Sequence, residues 1–308
     1  MMKAQFAIAL LLTAGVTYGQ RGNDDTGEAM ALQREFYLKM AKSVKVEIEC
    51  PLGELDIRSQ QQGPLAVLDL KNSLQNFEYR VTYTESNQKG ELKVGGSGEG
   101  SVGMEFKSIS DYKKLFGIGE SMERENRWRV MLKEADDLPY DLDFEIGLGD
   151  ADVELGRMAI EQLKFNCGLS DATLELKAPN PVRMRRLEVD NGMGAFEGVM
   201  LGNANFEDMK VSVGMGAATL DLRGKYTGDA DIKVDVGMGS ITLKVPADMD
   251  IRVNVNASPF SSISLEGLNQ EGKTTYRSKN YGSGRHTLDF NINVGMGSVE
   301  MELVDDTR

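Results

Sequence analysis

Residues 231–245, DIKVDVGMGSITLKV, contain the pattern that decides the fold. Apolar side chains occupy every second position over 232–236 and again over 241–245. Such alternation indicates β-strands with one buried face. The two alternations are out of phase across Gly237-Met238-Gly239, so a straight strand would turn one apolar set to solvent. We therefore predict that the chain bends at the glycines and keeps both sets inside.

The same segment recurs along the chain, with alternating apolar residues on both sides. From Gly147 onward the copies begin 21, 24, 22 and 23 residues apart, which is a typical coil length for a β-solenoid. The middle residue is always Leu or Met, and we predict that these side chains form one apolar column in the core. The predicted corner glycines are Gly53, Gly147, Gly149, Gly168, Gly192, Gly194, Gly214, Gly216, Gly237, Gly239, Gly295 and Gly297. The predicted core column is Leu52, Leu148, Leu169, Met193, Met215, Met238 and Met296.

These repeats predict an all-β fold, a parallel β-solenoid with coils of about 21–24 residues. A right-handed stack follows from the usual crossover rule. The alternative is an antiparallel meander with a hairpin at each glycine pair. Hairpin loops favour Asn-Gly or Asp-Gly, and a Leu or Met at a loop tip would bury nothing, so the solenoid is favoured.

The first 19 residues have the layout of a secretory signal peptide. Lys3 precedes an apolar run over 6–12, and small residues flank Tyr18 before a cleavage site near Gly19-Gln20. The run is too short to span a membrane, and no later segment is a candidate for an integral membrane span. We expect export to the periplasm or the cell exterior.

Four regions are expected along the chain. They are the signal peptide 1–19, an N-terminal extension 20–42, a β region 43–135 with a glycine-rich loop at 95–103, and the solenoid 136–308 with an excursion at 256–285. A helix over Thr26–Lys42 is expected to cap the stack. Strands are expected at Val44–Glu49, Leu65–Leu70, Phe77–Thr84, Glu91–Val94 and Trp128–Leu132, with an irregular or briefly helical segment at Lys107–Glu125.

The composition argues against several kinds of chemistry. The net charge of −13 disfavours binding to nucleic acid or anionic lipid. His286 is the only histidine, which makes a Ser-His-Asp triad or a histidine-rich metal site improbable. The 17 methionines could indicate copper handling, but their shared coil position favours core filling. We therefore expect no catalytic residues, no metal and no cofactor.

Outward carboxylates beside the corners are interpreted as a solvated acidic face, because they lack the spacing of known calcium motifs. They are Asp150, Asp152, Glu154, Asp171, Glu175, Asp221, Glu300 and Glu302. The only cysteines, Cys50 and Cys167, precede equivalent corners and should point inward. Two rungs would separate them by about 10 Å, beyond the roughly 7 Å Cα limit for a disulfide. We favour two buried thiols.

From Val44 to the C-terminus the chain resembles the toast-rack proteins, in which a toast-rack domain runs into an adhesin-like solenoid related to the C-terminal domain of Lia-type envelope-stress proteins. The similar residues are a strand over 44–48 followed by Gly53-Glu54-Leu55, then Asn126-Arg127-Trp128 and Pro139-Tyr140-Asp141-Leu142. The resemblance implies a bacterial envelope protein with a structural or interaction role and no catalytic residues.

Three functions stay open at this point. The first is a scaffold or binding module that uses the flat solenoid faces, with an envelope protein or a glycan as partner. The second is a polysaccharide-active β-helix enzyme, which would need clustered carboxylates in a groove. The third is an envelope-stress regulator acting through a protein partner, which only the resemblance favours.

Overall fold

A computed structural model describes residues 17–18, 30–72, 77–98, 126–279 and 281–305. Apart from Thr17–Tyr18, the predicted signal peptide lies outside these residues, as does the segment 107–125. Within the described ranges the helical structure is one 3₁₀ turn, Leu201–Ala204. The strands before the repeats are β1 Thr17–Tyr18, β2 Met30–Phe36, β3 Ser43–Gln60, β4 Ala66–Asn72, β5 Phe77–Ser86, β6 Lys89–Gly98 and β7 Arg127–Lys133. Those that follow are β8 Pro139–Leu155, β9 Ala159–Leu176, β10 Met184–Asn191, β11 Ala195–Val199, β12 Phe206–Val213, β13 Ala217–Asp221, β14 Ala230–Val236, β15 Ser240–Pro246, β16 Asp250–Ala257, β17 Ser262–Leu265, β18 Leu268–Gln270, β19 Thr275–Ser278, β20 Thr287–Val294 and β21 Ser298–Val304.

The repeats form two ladders of parallel strands that meet at the glycine corners. Strands β3, β8 and β9 run through both ladders, one half in each. The first ladder continues through β10, β12, β14, β20 and β16. The second continues through β11, β13, β15, β21 and β17. The all-β, largely parallel architecture is confirmed, and the antiparallel meander is contradicted.

The register follows the sequence repeat. Leu142, Leu163, Leu187, Met209 and Ile232 lie opposite one another on successive strands, 21, 24, 22 and 23 residues apart. Their side chains are buried between the two ladders. Burial of each such side chain contributes about 1.5–3 kcal/mol, so the alternating apolar residues stabilise the stack along its whole length.

Aromatic rings cross the coils inside the stack. The rings of Phe144 and Phe165, on β8 and β9, are 6.2 Å apart and nearly perpendicular. Phe165 also packs 5.6 Å from Phe196 on β11, so it connects the two ladders. All three are buried, and aromatic pairs at such separations add about 0.5–1.5 kcal/mol beyond area burial.

At the C-terminal end, spatial order differs from chain order. The coil formed by β20 and β21 pairs with β14 and β15 on one side and with β16 and β17 on the other. The last coil in sequence, β20–β21, therefore lies between the coil of β14–β15 and the coil of β16–β17. The predicted excursion begins at the end of β16, where Ala257 lies opposite Val294 of β20. It then forms a hairpin, β18 and β19, of which β19 pairs antiparallel with β16.

Spatial order also differs from chain order at the N-terminal end. Strand β3 lies between β8 on one side and the pair β6 and β7 on the other. Antiparallel strands β5 and β4 continue the two ladders outward from β6 and β7. The strands expected between Val44 and Leu132 are therefore all present.

The expected helix over Thr26–Lys42 is wrong wherever it can be compared. Residues Met30–Phe36 form β2, which pairs antiparallel with β4 from Met30 opposite Asn72 to Phe36 opposite Ala66. The segment is rich in good helix formers, but helix propensity is a weak preference that seven backbone pairs override. The outer edge of the second ladder is thus covered by a strand. Residues before Met30, apart from Thr17–Tyr18, lie outside the described part.

The expected glycine-rich loop 95–103 is also wrong in its first four residues, because β6 extends to Gly98. A Cβ on Gly96 would lie 2.2 Å from the ring of Phe77 and 3.0 Å from that of Trp128. These rings form an aromatic cluster with Tyr79. Gly96 therefore makes room for aromatic packing and does not mark a flexible segment.

Candidate interaction surface

The first glycine of each corner allows successive coils to approach closely. A Cβ on Gly168 would lie 2.5 Å from the carbonyl oxygen of Gly147, and one on Gly237 would lie 2.9 Å from that of Gly214. Equivalent contacts of 2.5–2.9 Å occur at Gly147, Gly192, Gly214 and Gly295. Cβ atoms essentially never approach a carbonyl oxygen this closely, so a side chain at any of these glycines would push neighbouring coils apart. The equivalent position in the first coil is Pro51.

The second glycine of the corner faces inward in the later coils. A Cβ on Gly239 would lie 2.2 Å from the carbonyl oxygen of Gly216 and 2.8 Å from Cγ1 of Val213. Gly297 meets Gly239 and Val236 in the same way, and a Cβ on Gly194 would lie 1.6 Å from the Ser170 carbonyl. Gly53 and Gly149 differ, because their φ angles are +123° and +131°. The second corner glycine is therefore needed for close approach at every corner that has one and, at Gly53 and Gly149, for backbone conformation as well.

The predicted core column is wrong for its four methionines. Met193, Met215, Met238 and Met296 are 48–60% exposed. The phase change falls two residues earlier than the predicted column requires. Val236 and Gly239 both face the core, so Gly237 and Met238 between them face outward. Leu52 is buried, whereas Leu148 and Leu169 are partly buried.

The four methionines nevertheless form an ordered column on the surface, which we call the methionine ladder. The backbone N–H of Met215 donates to Gly192 O, that of Met238 to Gly214 O and that of Met296 to Gly237 O, each at 2.8 Å. Met193 donates to Gly168 O at 2.9 Å. The methionine ladder lines an open groove of about 830 Å³, together with Phe260 and Asp171.

A second groove, of about 780 Å³, lies on the outer face of the second ladder. We call it the acidic groove, and its carboxylates are Glu54, Asp56, Asp150, Asp152, Asp171 and Glu197, from β3, β8, β9 and β11. Small residues such as Ala195 and Ala217 line its far end. Sequence reasoning found several of these carboxylates but not their convergence, because alternation gives the face of a residue and not its neighbours across strands.

Arg58 is the main cation of the acidic groove. Its guanidinium lies 2.6 Å from Asp152, 3.0 Å from Asp56 and 3.6 Å from Glu154. The hydrogen bond from Arg58 holds the pKa of Asp152 below its ordinary value. The pKa of Arg58 is correspondingly raised. The predicted acidic face is therefore partly ion-paired across coils, and Glu154 also pairs with Lys177.

The remaining predicted carboxylates are more dispersed. Asp171 accepts a hydrogen bond from the backbone N–H of Ala195 at 2.9 Å. Asp221 is buried, contrary to the expected solvated face, and its carboxylate pairs with Arg223 at 2.6 Å. Glu175, Glu300 and Glu302 lie on the outer sides of β9 and β21. Among the described residues, no three His, Cys, Asp or Glu side chains are close enough together to hold a metal ion.

The two cysteines lie where the repeat placed them. Cys50 pairs with Ile146, which pairs with Cys167 in the next coil, so two rungs separate the thiols. Both side chains are buried. Burial raises the pKa of the Cys50 thiol well above its ordinary value and that of Cys167 to about 12. Neither thiol is therefore suited to nucleophilic chemistry.

His286 stands apart from both grooves. Its Nδ1 is 3.9 Å from a carboxylate oxygen of Asp229, and its side chain is partly exposed. The same Asp229 oxygen accepts the backbone N–H of Thr287 at 2.8 Å.

In the part of the chain that is described, no helix is both long and apolar enough to cross a membrane.

Two sequence families match the chain. The first, described as the N-terminal domain of toast_rack, matches residues 22–197. The second, described as cell wall-active antibiotics response LiaF, C-terminal, matches residues 199–301. The boundary between them falls in β11, inside an uninterrupted ladder.

A crystal structure also matches, that of a "putative cell adhesion protein" from Clostridium sporogenes. It is 17% identical to this chain, the match covers 90% of this chain and 100% of that one, and the TM-score is 0.44. At that score the similarity supports no conclusion about function. No curated protein matches the chain.

Proposed function

This chain belongs to the toast-rack family, and we propose that it is a non-catalytic interaction module of the bacterial cell envelope. The observation that carries the proposal is the acidic groove. Its carboxylates stand on adjacent parallel strands, about 4.8 Å apart between strands and about 6.6 Å apart along each strand. A rigid array of like charges favours a partner that presents several basic side chains.

The rigidity of the groove supports binding in particular. Glu54, Asp150 and Glu197 project from strands whose register is fixed on both sides by backbone pairing. A surface that is already ordered loses little conformational entropy when a partner binds. The partner we propose is an envelope protein with a basic surface, and the predicted signal peptide would place the chain in the same compartment.

A non-catalytic role fits the chemistry of the groove better than hydrolysis does. A glycosidase needs one carboxyl group with a raised pKa as proton donor, opposite a second carboxylate. Here the pKa of Asp152 is lowered by Arg58, and the groove is open to solvent along its length. Incubating the protein with cell-wall glycans tests this point, because any new reducing ends would contradict the non-catalytic role.

Affinity capture from envelope extract tests the binding role. The triple variant Glu54→Gln, Asp150→Asn and Glu197→Gln removes three charges from the acidic groove and keeps side-chain size. The matched control, Glu145→Gln with Asp208→Asn and Asp231→Asn, removes three charges from exposed positions of the first ladder. We expect the groove variant to lose a salt-sensitive partner that the control retains. Equal capture by both variants would contradict the assignment to this groove.

The match of residues 199–301 to the LiaF C-terminal family favours a second candidate, a regulator of the response to cell-wall-active antibiotics. This role predicts that deleting the gene changes transcription of envelope-stress genes when such antibiotics are added. A scaffold role predicts altered envelope integrity without that transcriptional change. Measuring both in the same deletion strain separates the two functions.

A further inference from the structure

The methionine ladder exposes a residue type that five other positions of the repeat region bury. Met158, Met184, Met209, Met249 and Met301 are all at most 2% exposed. The four ladder methionines are 48–60% exposed, although an outward position can accept almost any side chain. The sequence argument against copper assumed that these side chains fill the core, and their exposure removes that argument.

Their neighbours leave the thioethers accessible. Each ladder methionine lies between two glycines, and the residue that follows the second glycine is Ala195, Ala217, Ser240 or Ser298. The sulfur atoms therefore stand above a floor of backbone and small side chains, in the groove of about 830 Å³.

The spacing suits a metal ion held between neighbouring rungs. Backbone hydrogen bonds place the four methionines on consecutive coils, which are about 4.8 Å apart. Two metal–sulfur bonds of about 2.3 Å would span nearly the same distance. Because each side chain has three rotatable bonds, pairs of sulfur atoms can adjust to this separation.

The ligand set selects the metal. Thioether sulfur is a soft, neutral ligand that prefers Cu(I) over the harder divalent cations. No cluster of His, Cys, Asp or Glu occurs among the described residues to compete for borderline metals. Asp171 lines the same groove, and the net charge of −13 attracts a cation.

We propose that the methionine ladder binds a soft monovalent metal ion, Cu(I), between thioethers of adjacent coils. Up to three neighbouring pairs are available: Met193 with Met215, Met215 with Met238, and Met238 with Met296. Thioethers do not titrate, so binding stays constant between pH 5 and 8, unlike binding to histidine or cysteine.

The test uses Ag(I) as a redox-stable probe and Cu(I) under anaerobic reducing conditions, with the chain lacking residues 1–19. Methionine methyl NMR reports which side chains respond, and competition with a Cu(I) chelator reports affinity. Met215→Leu with Met238→Leu removes every neighbouring pair and keeps the apolar surface. Met193→Leu with Met296→Leu removes as many sulfur atoms but leaves the central pair. Met40→Leu changes a methionine that is 79% exposed and lies outside the ladder.

We expect the central double variant to weaken binding at least tenfold, and the outer double variant and Met40→Leu to retain a site of nearly wild-type affinity. The affinity should not change from pH 5 to 8. Equal loss in the two double variants, a Met40 methyl that responds at the same Ag(I) concentration, or pH-dependent binding would overturn the proposal. Self-association or protein binding that survives both leucine variants, without metal binding, would instead identify the ladder as an apolar docking surface and would also overturn it.

Discussion

The corners of the first coils and those of the last coils share a sequence motif but differ in structure. In β3 and β8 the strand continues through the corner, with φ at Gly53 and Gly149 in the left-handed region. In the later coils the strands stop on either side, as between β14 and β15, and the corner glycines lie outside that region. The second glycine therefore meets both a conformational and a steric requirement in the first coils, and only a steric one in the later coils.

The middle residue differs in the same way. At the first corner, Asn126 packs against Gly53, its carbonyl accepting the N–H of Glu54 at 2.8 Å, and Leu52 is 3% exposed. Among the residues that the structure describes, no equivalent of Asn126 covers the later corners, where the methionines are exposed. Burial at this position thus depends on what covers the corner and not on the motif itself.

The largest effect is expected from Gly149→Ala. The substitution combines an unfavourable positive φ with a Cβ that would lie 2.0 Å from the carbonyl oxygen of Gly53. We expect a loss of about 4 kcal/mol or more in the free energy of unfolding, or failure to fold. Chemical denaturation monitored by circular dichroism measures this loss.

Gly282→Ala is the matched control for Gly149→Ala. Gly282 has φ +93°, but a Cβ there would meet nothing within 4 Å, so the substitution isolates the conformational cost. We expect about 1–2 kcal/mol. If both substitutions cost the same, close stacking of the coils is not what excludes a side chain at Gly149.

Leu52→Ala and Met238→Ala compare the middle residue at the two ends. Truncating the buried leucine should cost about 3 kcal/mol, because it removes apolar contacts and leaves a cavity. Truncating the half-exposed methionine should cost no more than about 0.5 kcal/mol. Thermal denaturation of both variants measures the difference, and similar losses would contradict the exposed position of the ladder.

Gly239→Ala tests the steric requirement at a corner of the later coils, without a change in backbone conformation. Its φ lies outside the left-handed region, but a Cβ would lie 2.2 Å from Gly216 O and 2.8 Å from Val213 Cγ1. We expect about 2–3 kcal/mol of destabilisation from overpacking, less than for Gly149→Ala. Gly272→Ala, where the nearest atoms are 3.8 Å away, should be nearly neutral. A neutral Gly239→Ala would show that the coils can separate at little cost.

Much of this architecture followed from the sequence, because alternation and phase determine which side chains face the core. The alternating apolar residues before three of the corners are buried as the pattern predicts: Val46, Ile48 and Cys50; Leu163, Phe165 and Cys167; and Ile232, Val234 and Val236. The position of the phase change was misplaced by two residues, because both placements keep the same flanking residues inside. The exposure of the four methionines and the contact of Gly239 with Val213 distinguish the two placements.

The ends of the stack were beyond sequence reasoning for a different reason. Alternation does not say which coil a strand lies beside, so the insertion of β20 between β14 and β16 left no trace in the pattern. Likewise, nothing in Met30–Phe36 indicates that the edge of β4 is available for pairing. The acidic groove was only partly predictable, because its carboxylates converge from strands far apart in sequence.

The smallest expected effects on stability concern two ion pairs, Asp221–Arg223 in the later coils and Asp152–Arg58 near the first corners. Burial raises the pKa of Asp221, but hydrogen bonds from the side chain and backbone of Arg223 outweigh it, so the pKa lies below its ordinary value. A carboxylate of this kind stabilises the fold above its unfolded pKa of about 3.9, and the contribution is lost as the pH falls through the folded pKa. We expect Asp221→Asn to cost about 1 kcal/mol at pH 7 and progressively less below about pH 4.

Asp152→Asn is the counterpart near the first corners. Its side chain is 54% exposed, against 11% for Asp221, so solvent screens its pair with Arg58. We expect a cost of at most about 0.5 kcal/mol at pH 7. Urea denaturation of both variants at pH 7 and pH 3 measures the two contributions. A larger loss from Asp152→Asn than from Asp221→Asn would mean that the cross-coil pairs of the acidic groove, and not the buried pairs of the later coils, carry the electrostatic part of the stability.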